Sequence, residues 1–216
     1  MSESPVALAR RLEPEDQARA DFYALLARLF ADVPDAGLLA SIASAAPLAP
    51  VSQAGDGGEV ATTLAAAWRA LTGASATIDL EGAIEEFQTL FVGVGRSEVS
   101  LYASHYLGPQ SGRPLAEIRT VLAGLGLARR PGSSVYEDHL AVLLETLRLL
   151  IAGDAERGPA GISVQRLFFE RHVASWAFDC CTAIEQSSIA NYYRCVAQFA
   201  RCFLVLERDS LAMESK

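Results

Sequence analysis

The sequence predicts an all-α fold, a single-domain bundle of about eight helices. Three observations predict it. Apolar residues recur at spacings of three and four along most of the chain, and no stretch alternates apolar and polar residues as a half-buried strand does. The 216 residues are 51% hydrophobic and 20% charged, which is enough apolar material for one substantial core. We expect a tail over residues 1–15 and one helical domain over residues 16–211.

Four helices are predicted in the first half of the chain. The first has Pro14 just inside a polar start, a position where proline is well tolerated. Residues 46–58 are rich in proline and glycine and predict an exposed loop between the second and third helices. The predicted bounds are Pro14 to Asp32, Pro34 to Ser44, Glu59 to Leu71 and Leu80 to Phe91.

Four further helices are predicted in the second half. Pro114 starts one that ends by Leu127, and residues 128–134 form a hinge or long turn. Ser134 lies three residues before Glu137, the spacing of a capping box, so the next helix is expected to start there. After a loop over residues 153–161, two long helices finish the chain. Their apolar positions are Phe169, Val173, Trp176, Cys180 and Ile184 in the first, and Ile189, Tyr193, Val196, Ala200, Phe203 and Leu206 in the second.

Composition excludes several classes of function. The formal net charge of −8 disfavours a general nucleic-acid binder and a protein that binds anionic membrane surfaces, and it favours cationic partners or serves solubility. No apolar run reaches the roughly 18 residues that a membrane span needs, and no stable membrane insertion is expected. The N-terminus has no secretory pattern, so we expect a cytoplasmic protein. The four cysteines lack metal-ligand spacing and are expected to be buried hydrophobes; no cofactor is predicted.

Asp138 and His139 are the first candidates for chemistry, because an acid and an imidazole stand side by side where a loop becomes a helix. Adjacent helical residues point about 100° apart, which suits a catalytic dyad poorly. No activated nucleophile accompanies them, and Leu143 stands where a second metal ligand would follow His139. The structural interpretation is that Asp138 caps its own helix while His139 pins a neighbouring loop; a functional role stays open.

Residues 92–112 are the second candidate. Gly93 and Gly95 are expected to let the backbone turn sharply after Phe91. Polar and aromatic side chains on a loop often line a binding cleft, although the same tyrosines can simply anchor the loop to the core. The candidates here are Glu98, Tyr102, His105 and Tyr106. His172 is expected to be a packed histidine.

Three stretches carry a resemblance to a known family. They are Asp138-His139-Leu140, the run from Glu86 to Gly93 (EFQTLFVG) with residues 101–107 (LYASHYL), and residues 165–176 (QRLFFERHVASW). In this order they resemble the TorD/DmsD/NarJ family of redox-enzyme maturation chaperones, over about residues 16–207. The family's motif often has an acid and a proline before Asp-His; here Val135 and Tyr136 stand there, and Glu137 offers a nearby acid.

The resemblance implies a TorD-like fold and a chaperone without catalytic turnover. Its expected partner is the apo-form of a molybdopterin oxidoreductase catalytic subunit, with a weaker likeness to members that serve formate-dehydrogenase-like enzymes. Binding is expected through a twin-arginine signal peptide or N-terminal region, whose arginines suit carboxylates and whose apolar part suits aromatic rings. The predicted peptide-binding residues are Asp138, His139, Glu137, Glu98, Tyr102, Phe91, Tyr106 and His105.

Other classes of function stay open at this point. One is a small helical cofactor- or nucleotide-binding enzyme that uses Asp138 and His139, although the chain has no P-loop. Another is a structural adaptor, for which residues 92–112 would pack shut. The sequence does not choose between a monomer and a dimer that exchanges helices through residues 128–134.

Overall fold

Helices supply the regular structure of the chain. The computed structural model describes residues 12–48, 56–93, 95–108, 114–128 and 135–213, with backbone alone for residues 56–62. Within these ranges the β-type pairing is a single isolated bridge between Tyr102 and His139. The helices are α1 (Pro14–Ala31), α2 (Ala36–Ala43), α3 (Asp56–Thr77), α4 (Leu80–Phe87), α5 (Ala103–Tyr106), α6 (Pro114–Gly124), α7 (Leu140–Ala152), α8 (Ile162–Phe168), α9 (Ala177–Gln186) and α10 (Tyr192–Met213).

The predicted all-α single-domain fold is confirmed, while the number of helices differs. The described residues form ten α-helices. One extra helix is the single turn α5, which is too short to show apolar periodicity. The other arises because the predicted penultimate helix divides: α8 continues as a π-helical segment, Phe169–Ala174, and the backbone of Trp176 (φ −152°) breaks it before α9. A second π-helical segment, Gln88–Val92, extends α4.

Several predicted boundaries move. Helix α3 begins at Asp56, so residues 56–58 are helical rather than part of the predicted loop, and it continues to Thr77 instead of ending at Leu71. Ile189 precedes α10 and is exposed, so it lies outside the apolar face predicted for that helix. Helix α1 already begins at Pro14, within the predicted tail. Residues 1–11 of that tail and 129–134 of the predicted hinge lie outside the described residues.

The core is built around three contacts between helices. Helix α1 packs along α7, and α10 packs against α3 and α9. Leucines three and four residues apart place one continuous apolar stripe on α7, which is buried against the apolar face of α1. The buried residues of this contact include Tyr23, Leu26, Leu29 and Phe30 from α1 and Leu143, Leu144, Leu147 and Ile151 from α7.

A buried carboxylate from α4 fixes the start of α10. The first backbone N–H groups of a helix have no partner within the helix. The Glu86 carboxylate accepts hydrogen bonds from three of them, the N–H groups of Asn191 (2.8 Å), Tyr192 (3.0 Å) and Tyr193 (2.7 Å). Glu86 therefore connects α4 to the start of the last helix.

A second buried carboxylate ties the other end of α10 to α1. The guanidinium of Arg19 donates to both oxygens of Glu207, at 2.8 Å from Nε and 3.0 Å from Nη2. The hydroxyl of Tyr23 donates to Glu207 at 3.0 Å, and burial raises the pKa of that tyrosine well above its ordinary value. Among the described helices, none combines the length and apolarity that a membrane crossing requires.

Candidate functional site

The Asp138–His139 segment and the 101–106 segment are joined by backbone hydrogen bonds. The N–H of Leu140 donates to the carbonyl of Leu101 at 2.8 Å, and the N–H of Ala103 donates to the carbonyl of Asp138 at 3.0 Å. This is the isolated antiparallel bridge between Tyr102 and His139. The two stretches singled out from the sequence are therefore adjacent in space.

Asp138 holds the neighbouring loop. Its side chain is buried, with the residue 2% exposed, and Oδ2 accepts a hydrogen bond from the N–H of Ser104 at 3.2 Å. Ser104 lies in the first turn of α5, whose N–H groups lack partners within that helix. The expectation that Asp138 caps its own helix is wrong; it anchors α5 instead.

His139 is the residue that caps α7. Its backbone is extended (φ −73°, ψ 138°), and Nδ1 accepts a hydrogen bond from the N–H of Ala141 at 3.2 Å. The ring meets the edge of Tyr102 with centroids 4.8 Å apart. Burial lowers the pKa of His139 to about 4, against the opposing charge of Asp138. The imidazole is therefore neutral at pH 7, and the lone pair on Nδ1 accepts the hydrogen bond from the first turn of α7.

The helix start predicted from the capping-box spacing is also wrong. Helix α7 begins at Leu140, three residues after Glu137. The extended backbone of His139 is required by its bridge to Tyr102, so a long-range pairing overrides the local signal. Ser134, the other member of the predicted capping box, lies outside the described residues.

Glu137 faces α6. Its Oε2 lies 3.1 Å from Nε of Arg119, and the Glu137 side chain is 13% exposed while that of Arg119 is 48% exposed. Oε2 is itself buried and accepts no aligned hydrogen bond from the residues that the structure describes. The contact is thus an ion pair without good hydrogen-bond geometry.

Among the aromatic and imidazole side chains of the loop, Tyr106 is anchored to the core, whereas Tyr102 and His105 are at least partly exposed. The Tyr106 ring stacks on Trp176 (centroids 5.4 Å apart, planes at 24°), and its hydroxyl donates to the carbonyl of Ser100 at 2.9 Å. Burial raises the pKa of Tyr106 well above its ordinary value. Exposed His105 lies edge-on to Tyr106 at 4.9 Å. Tyr102 remains partly exposed beside Tyr136, whose ring centroid is 6.4 Å away.

Phe91 and Glu98 occupy different environments. Phe91 belongs to an aromatic cluster at the core, where its ring centroid lies 5.2 Å from that of Phe87 and 5.0 Å from that of Tyr193. Glu98 is exposed and makes no hydrogen bond or ion pair with another described residue. The structure therefore presents Glu98 to solvent and places the Phe91 ring at the edge of the core.

The glycines before the loop turn the chain as predicted. Gly93 and Gly95 have positive φ angles of 62° and 92°. A Cβ on Gly93 would meet the backbone carbonyl of Arg96 closer than any real contact. Glycine is needed there because other residues rarely adopt this backbone and no space exists for a side chain.

Three participants were not predicted as part of the site: Arg119, Ser104 and Trp176. Arg119 reaches Glu137 from a helix that no local pattern links to the Asp-His segment. Ser104 contributes only its backbone N–H, which any residue supplies. Trp176 was predicted as a core residue, and its support of Tyr106 depends on the fold.

The arrangement offers little for catalysis. The Asp138 carboxylate bonds to α5 and His139 Nδ1 bonds to its own helix, so the two groups do not form an acid–base relay. Within the described ranges, no group of three His, Cys, Asp or Glu side chains is arranged to hold a metal ion. A cavity of about 350 Å³ lies elsewhere, between the start of α1, the loop before α8 and the end of α10. Its lining includes none of the predicted site residues.

These features define an all-helical domain in which buried polar anchors hold a surface of partly exposed aromatic and acidic side chains. The family model described as nitrate reductase delta subunit matches residues 58–182. The match spans more than half of the chain, so the protein belongs to this family of NarJ/TorD-type chaperones, which mature molybdoenzymes. The comparison with curated proteins found no match.

Proposed function

We propose that this protein is a cytoplasmic chaperone that binds the immature catalytic subunit of a molybdopterin oxidoreductase through its N-terminal or twin-arginine peptide. It holds the subunit for cofactor insertion and delays export or assembly until that step is complete. The observation that carries the proposal is the bridge between Tyr102 and His139, which fixes a partly exposed acidic and aromatic surface on a rigid helix start.

The residues of this surface divide into two roles. Asp138 and His139 are buried and hold the loop and the helix in place, so we assign them positioning roles. Glu98 and Glu137 supply carboxylates for arginine, which forks onto carboxylate oxygens.

The apolar part of the peptide needs a different surface. We propose that it packs on Tyr102, Tyr106 and His105, with Phe91 at the margin through its partly exposed ring. Aromatic rings supply large contact areas at a low entropic cost, which is why they dominate many binding sites.

The partner is tested by affinity purification of the tagged protein from its native cells. We expect a molybdopterin-enzyme catalytic subunit to co-purify, and its failure to appear under any growth condition that produces such enzymes would contradict the proposal. Two matched pairs of variants locate the surface. Glu98→Gln is expected to reduce recovery of the subunit, whereas Glu85→Gln, at another exposed glutamate on α4, is not.

The second pair tests the aromatic part. Tyr136→Ser removes a ring that is 53% exposed beside Tyr102, and Leu167→Ser removes an apolar side chain that is 51% exposed on α8. Recovery of the subunit is expected to fall for the first variant alone. Equal loss for both variants would show that the binding surface is not the one proposed.

A further inference from the structure

We propose that Arg119 is an internal substitute for an arginine of the partner, and that binding exchanges Arg119 for the partner's guanidinium at Glu137. The site would thereby select arginine over lysine. This inference rests on the proposed function, because it assigns the acceptor for an arginine in the bound peptide.

The geometry of the existing pair favours exchange. Arg119 approaches Glu137 with Nε alone, 3.1 Å from Oε2, and this oxygen accepts no aligned hydrogen bond from the described residues. A guanidinium that meets a carboxylate through two parallel N–H groups forms a stronger and more specific contact. Glu137 therefore has acceptor capacity that Arg119 leaves unused.

Release of Arg119 requires little rearrangement. Helix α6 is held by buried Ile118 and Leu122, four residues apart on one face, whereas the Arg119 side chain is 48% exposed. The guanidinium can move into water while these apolar contacts stay in place. Only the Arg119 side of the pair is well exposed, and its single contact lacks hydrogen-bond alignment, so a peptide guanidinium that forms two aligned hydrogen bonds can displace it.

The charge around Glu137 also favours a replacement cation. The neighbouring Asp138 carboxylate is buried, and its resolved hydrogen bond comes from the neutral backbone N–H of Ser104. Arg119 is the cation that pairs with Glu137 among the described residues, so its departure leaves the carboxylates of two consecutive residues without that positive charge. An arginine from the partner restores the balance as Arg119 leaves.

The test uses the full chain and a labelled synthetic peptide with two adjacent arginines followed by six leucine and alanine residues. Its dissociation constant is measured by fluorescence anisotropy for the wild type, Arg119→Ala, Glu137→Gln and Arg28→Ala. Arg28 is the matched control, since it is 45% exposed, pairs with Asp35 at 2.7 Å, and its removal changes the net charge equally.

We expect Arg119→Ala to bind about two- to fivefold tighter, because it removes the internal competitor. Glu137→Gln is expected to bind about tenfold weaker or worse, and Arg28→Ala like the wild type. The gain from Arg119→Ala should shrink for a peptide in which lysine replaces both arginines, and it should vanish in the Arg119→Ala, Glu137→Gln double variant.

Three outcomes would overturn the inference: unchanged or weaker binding by Arg119→Ala, an equal gain with Arg28→Ala, or no binding of the peptide by any variant. Urea unfolding of each variant confirms that it is folded. Co-purification of a catalytic subunit together with any of these outcomes would leave the proposed function standing and reject the exchange alone. Absence of the subunit rejects the proposed function independently of this measurement.

Discussion

The neutral, buried His139 makes stability depend on pH in a predictable way. Its Nδ1 accepts the N–H of Ala141, and burial lowers its pKa from the ordinary 6.5 to about 4. Below pH 6.5 the unfolded chain takes up a proton that the folded chain refuses until about pH 4. The free energy of unfolding therefore falls as the pH decreases through this window.

The size of the effect follows from the two pKa values. Between pH 7.5 and pH 5 the linkage relation gives a loss of about 2 kcal/mol, and below pH 4 the loss approaches about 3 kcal/mol. His139→Asn removes the titration while keeping an oxygen that can accept the Ala141 N–H, since asparagine is a favoured N-cap. The difference in stability between wild type and His139→Asn should thus change by about 2 kcal/mol over this range in favour of the variant at low pH.

The assay is urea unfolding followed by far-UV circular dichroism at pH 7.5, 6 and 5. His105→Asn is the matched control, because it removes an exposed imidazole from the neighbouring helix α5 and leaves the buried one in place. Other titrating groups, including the buried His172, act equally in wild type and His139→Asn and cancel in the difference between them. If wild type and His139→Asn lose stability in parallel from pH 7.5 to 5, the assignment of His139 as a buried neutral cap is refuted.

The remaining predictions concern the anchors of the fold and are checked by the same unfolding measurement. Glu86→Ala removes the acceptor of three N–H groups, that of Asn191 just before α10 and those of Tyr192 and Tyr193 within it, and should destabilise the protein by about 2–4 kcal/mol. Gly93→Ala should destabilise by about 1–3 kcal/mol, whereas Gly73→Ala, in open space on α3, should stabilise by about 0.5–1 kcal/mol; the same sign for both would contradict the backbone argument. Arg19→Met strands the buried Glu207 carboxylate and should cost about 3–5 kcal/mol, most of it restored by adding Glu207→Met.

The all-helical fold could be predicted because apolar residues repeat at helical spacing within each segment of the chain. A leucine stripe with helical spacing on α7 leaves few alternatives to a helix packed against another apolar face, and α1 supplies that face. The division of the penultimate helix at Trp176 could not be predicted in this way, because its apolar positions keep helical spacing across the break. The break coincides with the stacking of Trp176 on Tyr106, a contact between distant parts of the chain.

The sequence singled out two stretches that the structure brings into contact, but the roles of their polar residues differ from those expected. Asp138–His139 and residues 92–112 were separate candidates in the sequence, and the bridge between Tyr102 and His139 joins them. Asp138 was expected to cap the helix and His139 to hold the loop, but the roles are reversed. The bridge to Tyr102 keeps the His139 backbone extended and makes His139 the cap of α7. Arg119 was missed because an ion pair between distant parts of the chain does not show in the spacing of residues.

These roles change what a loss of binding at Asp138 would mean. A direct contact with a partner's arginine requires the charge of Asp138, whereas a positioning role requires only an oxygen that accepts the Ser104 N–H at 3.2 Å. Asp138→Asn retains such an oxygen and Asp138→Ala does not. Because the carboxylate is buried, we expect Asp138→Asn to bind the diarginine peptide nearly as the wild type does and Asp138→Ala to bind at least about fivefold weaker.

Hydrogen exchange identifies the cause of that difference. The amide of Ser104 should exchange faster in Asp138→Ala than in the wild type, since its acceptor is lost, and should stay protected in Asp138→Asn. Equal weakening of binding by both variants, with Ser104 still protected in Asp138→Asn, would make the charge itself the contact. Asp138 would then have to become accessible during binding, and the 101–106 segment would be the part of the site that moves to expose it.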